Sequence, residues 1–185
     1  MRWFLLCSAL LTGCATAAVR SPQDPNVRTE VVRSARSQIG QRALTLRGHL
    51  LPAGCFALPR LAFGEHGIDL GAANADALYR KLSREGHVFQ DGNPRGGDLV
   101  FLRDLRGPDG GELHVGVVGS VEADGTVLVY QRMARGVEAY RMNLAHPHDE
   151  HAPLQHHAWN DSIAAGDGDT APAGALFSAY ASVLP

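Results

Sequence analysis

The sequence predicts an α+β domain in which helices pack on one face of an antiparallel β-sheet. The first half of the chain carries three apolar patterns with helical spacing, and the second half carries β-branched runs separated by short glycine-containing turns. Helices followed by such strands favour this class, because strands joined by short turns pair antiparallel. At 185 residues, of which 45% are hydrophobic, the chain suits one domain with short appendages.

Three helices are predicted in the first half. The first spans Val27 to Gln41, where Gly40 provides a stop signal. The second spans Phe56 to His66, and the third spans Ala72 to Arg84. Residues 41–53 show no periodicity, so we expect a loop there that shapes the approach to the second helix.

Four strands are predicted in the second half. They are Asp98–Arg103, Leu113–Val121, Thr126–Met133 and Val137–Met142. Short turns separate them, including Gly107 to Gly111 after the first strand and Asp124-Gly125 after the second. A final apolar run, Ala175 to Leu184, is expected to pack back on the domain.

The beginning of the chain has the pattern of a secretory signal. Arg2 precedes the apolar run Trp3 to Leu11, which is shorter than the ~20 residues that a membrane-spanning helix needs. Leu-Thr-Gly before Cys14 resembles the lipobox of bacterial lipoproteins, whose cysteine is lipidated and becomes the new N-terminus. Several acyl chains on Cys14 would hold the protein stably on a membrane. The alternative is an ordinary signal peptide cut after one of the residues 15–18.

These patterns divide the chain into four predicted parts. Residues 1–13 are the signal peptide, residues 14–26 are a lipidated tether, and residues 27–145 are the folded domain. Residues 146–185 form a histidine-rich loop and a tail that packs on the domain. The formal charge is 17 minus 19, or −2, and no basic patch indicates nucleic acid as a partner.

Cys55 is the one cysteine outside the signal peptide and the lipidation motif. It stands at the start of the second predicted helix, and His114 opens the second predicted strand. This combination is typical of cysteine nucleophiles, because free cysteine has a pKa of ~8.5 and a base or imidazolium is needed to supply its thiolate. The alternative is an inert cysteine packed in the core.

Three blocks of the chain match a known pattern in order and spacing. The first is Cys55 with an apolar stretch that ends at Gly67 to Leu70, reading Gly-Ile-Asp-Leu. The second is Gly97 to Phe101, reading Gly-Asp-Leu-Val-Phe, and the third is His114 to Val118, reading His-Val-Gly-Val-Val. Together they resemble the NlpC-type cell-wall peptidases, a papain-like family of bacterial cysteine hydrolases. The resemblance covers residues 27–143 and implies the papain-like NlpC-type fold.

The resemblance implies a role for three residues. Cys55 is the nucleophile and His114 is its base. A third polar residue on the neighbouring strand fixes the imidazole in such families, and Gln131 occupies that place. Its side-chain oxygen can accept the ring N–H and hold the tautomer. The alternatives are a core histidine for His114 and a solvated strand position for Gln131.

The resemblance also implies a substrate, and the lipobox indicates a location. The amide belongs to peptidoglycan, most often the link between D-glutamate and a diamino acid in the stem peptide, and its hydrolysis needs no metal and no cofactor. A lipid on Cys14 implies the cell envelope. Ala15 is not the aspartate associated with inner-membrane retention, so we expect the outer membrane, facing the periplasm.

The nucleophile block departs from the family pattern. The family usually has Asp-Cys-Ser-Gly there and a tyrosine upstream, whereas residues 54–57 read Gly-Cys-Phe-Ala and the tyrosine is missing. Pro59 also moves the expected helix start towards Ala57, which would leave Cys55 in the preceding turn. Two alternatives follow: a catalytically inactive wall-binding lipoprotein of the same fold, or an amidase or acyltransferase of the same superfamily that acts on another amide or a lipid ester.

A histidine-rich segment is the densest group of potential metal ligands. It contains His146, His148, Asp149, Glu150, His151, His156 and His157. We expect a surface loop without metal, and a zinc site from His146 and His148 is the alternative. Asp98 is expected to be a turn residue that leads into its strand. The acidic loop 166–169 is expected to be solvated, because it lacks the ligand spacing of a calcium loop.

Overall fold

The computed structural model describes residues 26–91, 93–103, 113–151, 158–165 and 169–185. The predicted signal peptide, the lipidation site at Cys14 and the tether up to residue 25 lie outside these ranges. The predicted turn 107–111, His156, His157 and residues 166–168 also lie outside them. Within the described ranges, three α-helices and an antiparallel sheet form an α+β fold, which confirms the predicted class.

Each predicted helix forms, but each is shorter than its sequence pattern indicated. Helix α1 spans Val27–Ser37, α2 spans Ala57–Gly64 and α3 spans Ala75–Arg84. Helix α3 begins where it does because the side chain of Asn74 caps it, accepting a backbone N–H of the first turn at 2.9 Å. None of the helices in the described ranges has the length and apolar character needed to cross a membrane.

The described strands form one six-stranded antiparallel sheet and two small two-stranded sheets. In chain order they are β1 Thr45–Leu46, β2 His49–Leu50, β3 Val88–Phe89, β4 Leu99–Arg103, β5 Leu113–Val121, β6 Val127–Met133, β7 Gly136–Met142, β8 Ser162–Ala165, β9 Asp169–Pro172 and β10 Phe177–Ala181. The large sheet has the order β3-β10-β4-β5-β6-β7. The four predicted strands are β4 to β7, each within one residue of its predicted bounds.

Strand β10 comes from the C-terminal apolar run and lies inside the large sheet. Its Tyr180 pairs with Val100 of β4 on one side and with Phe89 of β3 on the other. The sequence predicts only that this run packs on the domain. In the structure, residues 177–181 hold the edge strand β3 to the rest of the sheet.

Both faces of the large sheet are covered. Alternation along β4 turns Leu99 and Phe101 towards the three helices, and Val100 and Leu102 towards the opposite face. That opposite face is covered by β8, β9 and the 3₁₀ helix Ala173–Leu176. We call these three elements the C-terminal layer. The helices lie on one face, and the C-terminal layer closes the other.

Residues 45–50 form a small hairpin where the sequence pattern indicated a loop. Strand β1 pairs antiparallel with β2. The turn residues Arg47 and Gly48 have φ angles of 52° and 82°, the left-handed pair that suits a two-residue hairpin turn. Strands of two residues are too short to show alternation, so hydrophobic periodicity could not predict them.

Arg28 of α1 connects three parts of the fold through one guanidinium group. It forms an ion pair with Asp98 at 2.8 Å, directly before β4. It also donates to the hydroxyl of Ser182 at 2.9 Å and to the carbonyl oxygen of Pro185 at 2.9 Å. The second carboxylate oxygen of Asp98 accepts the N–H of Arg95 at 2.7 Å. Asp98 is therefore a turn residue that leads into its strand, as the sequence predicts, and it also anchors α1.

The side chain of Asn160 joins the segment after β7 to the C-terminal layer. Its carbonyl oxygen accepts the N–H groups of Asn143 and Gly174, each at 2.9 Å. Its amide nitrogen donates to the carbonyl oxygens of His146 at 2.7 Å and Asp149 at 2.9 Å. Asn160 is buried, so each of its two donors and two acceptor positions is matched inside the protein.

Replacing Asn160 with alanine is expected to destabilise the protein by about 3 kcal/mol, because several buried backbone groups lose their partners together. Thermal unfolding followed by circular dichroism measures the loss. The matched control is Asn93→Ala, since Asn93 is exposed and its replacement should leave stability nearly unchanged. Equal unfolding temperatures for the two variants would contradict the role assigned to Asn160.

Candidate active site

Cys55 lies in the turn that leads into α2. Gly54 before it has a φ angle of 140°, a conformation that residues with a side chain rarely adopt. The helix begins at Ala57, after the thiol, so Cys55 stands outside the helix. The thiol is half-buried, and its sulfur lies 4.0 Å from the carbonyl oxygen of Leu113 on β5. Cys55 therefore faces the strand that carries His114.

The position of Pro59 accounts for the start of α2. Pro59 is in the first turn of the helix, where a backbone N–H has no partner within the helix. The N–H of the next residue, Arg60, donates to the carbonyl oxygen of Phe56 at 3.1 Å. This arrangement agrees with the sequence-based expectation that the proline moves the helix start towards Ala57.

Cys55 and His114 meet at a cleft between α2 and the beginning of β5. Both residues line a cavity of about 290 Å³ that extends towards β6 and β8, which we call the β6 cavity. Both also line a cavity of about 260 Å³ that extends towards α3, which we call the α3 cavity. His114 is partly exposed rather than sealed in the core. The structure thus brings the predicted nucleophile and the predicted base to the same cleft.

The β6 cavity combines apolar and basic residues. Leu102, Ile163 and Leu176 are buried side chains that line it. Arg103 and Arg132 line it as well. Two of the apolar residues belong to the C-terminal layer, so a segment that the sequence treats as a tail supplies one wall of the cleft.

Gln131 lines the same β6 cavity. It is only 1% exposed, so it is not a solvated strand position. Its side-chain oxygen Oε1 accepts a hydrogen bond from the hydroxyl of Tyr140 at 2.7 Å. The acceptor role implied for Gln131 uses this same oxygen, which the structure places against a phenol.

Tyr140 is a buried neighbour of the site that sequence reasoning missed. Burial raises the pKa of Tyr140 above its ordinary value, and the nearby Tyr180 and Cys55 raise it further. Its hydroxyl therefore stays protonated through neutral and mildly alkaline pH. The signal that finds Tyr140 is the register of the β6–β7 hairpin, which pairs it with Val129 on the strand face of Gln131.

The α3 cavity is lined by charged residues of both signs, whereas those of the β6 cavity are basic. Arg60, Asn74 and Asp76 line it together with Cys55. The carboxylate of Asp76 accepts the backbone N–H of Leu113 at 3.3 Å. Helix α3 is thereby tied to the residue that directly precedes His114.

The described part of the histidine-rich segment is held by ring stacking and hydrogen bonds. The ring of His146 stacks on Trp159 with centroids 3.5 Å apart, and its Nδ1 lies 3.7 Å from a carboxylate oxygen of Asp149. Among the residues that the structure describes, no group of three or more His, Cys, Asp or Glu is arranged to hold a metal ion. His156 and His157 lie outside the described residues.

Comparisons with known proteins show no family for this chain. No protein-family model matches this chain, and no curated protein sequence matches it. Among solved structures, the chain is similar to one described as the crystal structure of Ly7917, with 18% sequence identity and a TM-score of 0.42. The match covers 64% of this chain and 56% of that one, so it spans little more than half of the neighbour's length. A likeness at that level does not establish a shared fold.

Proposed function

We propose that this protein is a lipid-anchored cysteine hydrolase that cleaves amide bonds in the stem peptides of peptidoglycan. The observation that supports this function best is the cleft in which Cys55 and His114 line the same two cavities. The substrate class comes from the three sequence blocks that resemble NlpC-type peptidases. On the same ground we assign the α+β domain to the papain-like NlpC-type fold.

The reaction begins at the thiol of Cys55. His114 takes the thiol proton, and the thiolate adds to the carbonyl carbon of the bound amide. Backbone N–H groups near Cys55 then bind the carbonyl oxygen of the substrate, where negative charge develops. His114 then gives its proton to the leaving amine, which departs and leaves a thioester on Cys55.

Water completes the cycle. His114 removes a proton from the water as it attacks the thioester, and the products are a free carboxylate and the thiol of Cys55. Gln131 is the third polar residue of this site. The two cavities on the two sides of the Cys55–His114 pair provide room for the acyl part and the amine part of the substrate.

The anchor at Cys14 serves the same function. Lipid on this residue holds the enzyme at a membrane of the cell envelope, and residues 15–25 connect it to the domain. An enzyme held there is close to the wall, which concentrates it on its substrate. The proposed function involves no nucleic acid.

The test is digestion of purified peptidoglycan by the full-length protein, with the new amine and carboxylate termini identified by mass spectrometry. The matched control is Cys55→Ser, which keeps the size of the side chain and replaces the thiol with a much weaker nucleophile. We expect the wild-type protein to cut the stem peptides at one amide bond, and we expect Cys55→Ser to leave them uncut.

Three other outcomes would contradict this proposal. Intact wall material that sediments together with the protein would indicate an inactive wall-binding lipoprotein. The altered sequence around Cys55 is the basis of that alternative. Cleavage that persists in Cys55→Ser would exclude Cys55 as the nucleophile. Products formed only from lipid esters or other amides would assign the site to a different acyl substrate.

A further inference from the structure

The amide group of Gln131 is oriented with its nitrogen towards the β6 cavity. In the described residues, every buried side-chain nitrogen or oxygen has a hydrogen-bond partner. The hydrogen bond that the Gln131 side chain makes there is the one between Oε1 and Tyr140. The amide nitrogen is therefore not fully buried. Because Gln131 lines the cavity, this nitrogen is the polar atom of the side chain that faces the cavity.

Tyr140 determines which end of the amide faces the cavity. Its hydroxyl lies 2.7 Å from Oε1 and donates to it, so the carbonyl end is held inside the protein. Both residues are nearly fully buried, at 1% exposure for Gln131 and 3% for Tyr140, so solvent does not compete for this hydrogen bond. A side chain that is buried, held at one end and open at the other is preorganised for a ligand.

We propose that Gln131 donates an N–H to a carbonyl oxygen of the bound amide substrate, and that Tyr140 is the positioning residue that aims this donor. The inference rests on the proposed hydrolase function and gives it a substrate contact. It differs from the acceptor role that the family resemblance implies, in which the oxygen of Gln131 holds the ring of His114. The carbonyl oxygen of the substrate gains negative charge as the Cys55 thiolate adds. A fixed N–H donor therefore binds this oxygen more strongly in the transition state than in the ground state.

Gln131→Glu separates the two roles, because it replaces the amide nitrogen with oxygen and keeps the shape. If the nitrogen donates to the substrate, kcat for peptidoglycan cleavage falls by about 10²–10³-fold, the usual effect of removing one such donor. If the oxygen instead serves His114, the carboxylate keeps the acceptor and the activity is retained. Retained activity in Gln131→Glu would overturn the inference while the hydrolase function stands.

A second measurement does not depend on turnover. Iodoacetamide and allyl bromide both alkylate Cys55 with loss of halide, but only iodoacetamide has a carbonyl oxygen that Gln131 can bind. Rates are followed at the peptide that contains Cys55 by mass spectrometry of the full-length protein. We expect the iodoacetamide rate relative to the allyl bromide rate to fall about tenfold in Gln131→Glu and in Tyr140→Phe, the equivalent of one hydrogen bond.

Taking the ratio of the two alkylation rates removes the effects of a substitution on folding and on the fraction of Cys55 present as thiolate, because both reagents are uncharged and react with the same sulfur. The matched control is Gln90→Glu, because Gln90 donates to the carbonyl oxygen of Ser178 at 3.0 Å and does not line the cleft. An unchanged ratio in Gln131→Glu would overturn the inference. A ratio that falls in a protein that cleaves no peptidoglycan would support the donor and reject the proposed hydrolase function.

Discussion

Replacing His114 with alanine is expected to lower kcat/KM for peptidoglycan cleavage by on the order of 10⁴-fold or more, the size of effect seen when a catalytic base is removed from a coupled nucleophile–base pair. The reason is that, in the proposed mechanism, His114 both accepts the proton of Cys55 and protonates the leaving amine. The substitution therefore removes the proton carrier from both the attack by Cys55 and the departure of the amine. The measurement is the initial rate of new amine release from purified peptidoglycan.

The matched control is His49→Ala. His49 lies on the exposed hairpin at residues 45–50, so its loss should change the rate little. The thermal unfolding temperature of His114→Ala should stay close to that of the wild-type protein, since His114 is only partly buried. Activity that survives in a folded His114→Ala variant would remove His114 from the mechanism.

Replacing Asp98 with asparagine is expected to destabilise the protein by about 3–5 kcal/mol, the range measured when one partner of a buried ion pair is removed. Asp98 is 2% exposed and Arg28 is 15% exposed at their side chains, so solvent does little to stabilise the remaining charge. For a domain of this size the loss corresponds to a fall of roughly 10 °C in unfolding temperature. Differential scanning calorimetry would measure it.

The matched control for this variant is Arg33→Gln. Arg33 pairs with Glu30 on the surface of the same helix, and its side chain is 66% exposed. Exposed pairs contribute about 0.5 kcal/mol, because water screens them. An Asp98→Asn protein that unfolds at the temperature of Arg33→Gln would show that the ion pair of Arg28 does not hold α1 to the sheet.

The central part of the fold is readable from the sequence because its signals are local. Strands β4 to β7 contain β-branched residues at positions of regular alternation, and short glycine turns join β5 to β6 and β6 to β7. The helix bounds were less accurate. At α3 the apolar pattern begins at Ala72, before Asn74, whose side chain caps the helix. Periodicity alone therefore makes the helix about one turn too long at its N-terminal end.

The parts that the sequence could not predict depend on distant partners. Strand β10 pairs with Val100 and Phe89, which are about eighty to ninety residues earlier, and an apolar run of this length fits several positions in a fold. The C-terminal layer is fixed by the four hydrogen bonds of Asn160. Nothing in the local pattern around Asn160 indicates them.

The candidate site shows the same division. Cys55 and His114 were identified from their residue types and their place in three sequence blocks, and they line one cleft. The partner of Gln131 was missed, because Tyr140 reaches it across the β6–β7 hairpin and lies within an ordinary strand pattern. Residue identity therefore predicted two residues that line the cleft, and strand register was needed to find Tyr140, the residue that holds the side chain of Gln131.

The place of β10 in the sheet has a consequence for biosynthesis. A ribosome releases a chain from its N-terminal end, and the helices and β4 to β7 emerge before residues 177–181. Until the C-terminal layer and β10 appear, the wall of the cleft that contains Ile163 and Leu176 is incomplete, β3 has no neighbour in the large sheet, and β4 has an open edge. The proposed nucleophile Cys55 and the proposed base His114 thus emerge before the cleft is finished, so we expect the proposed hydrolytic activity to arise only after synthesis has passed β10.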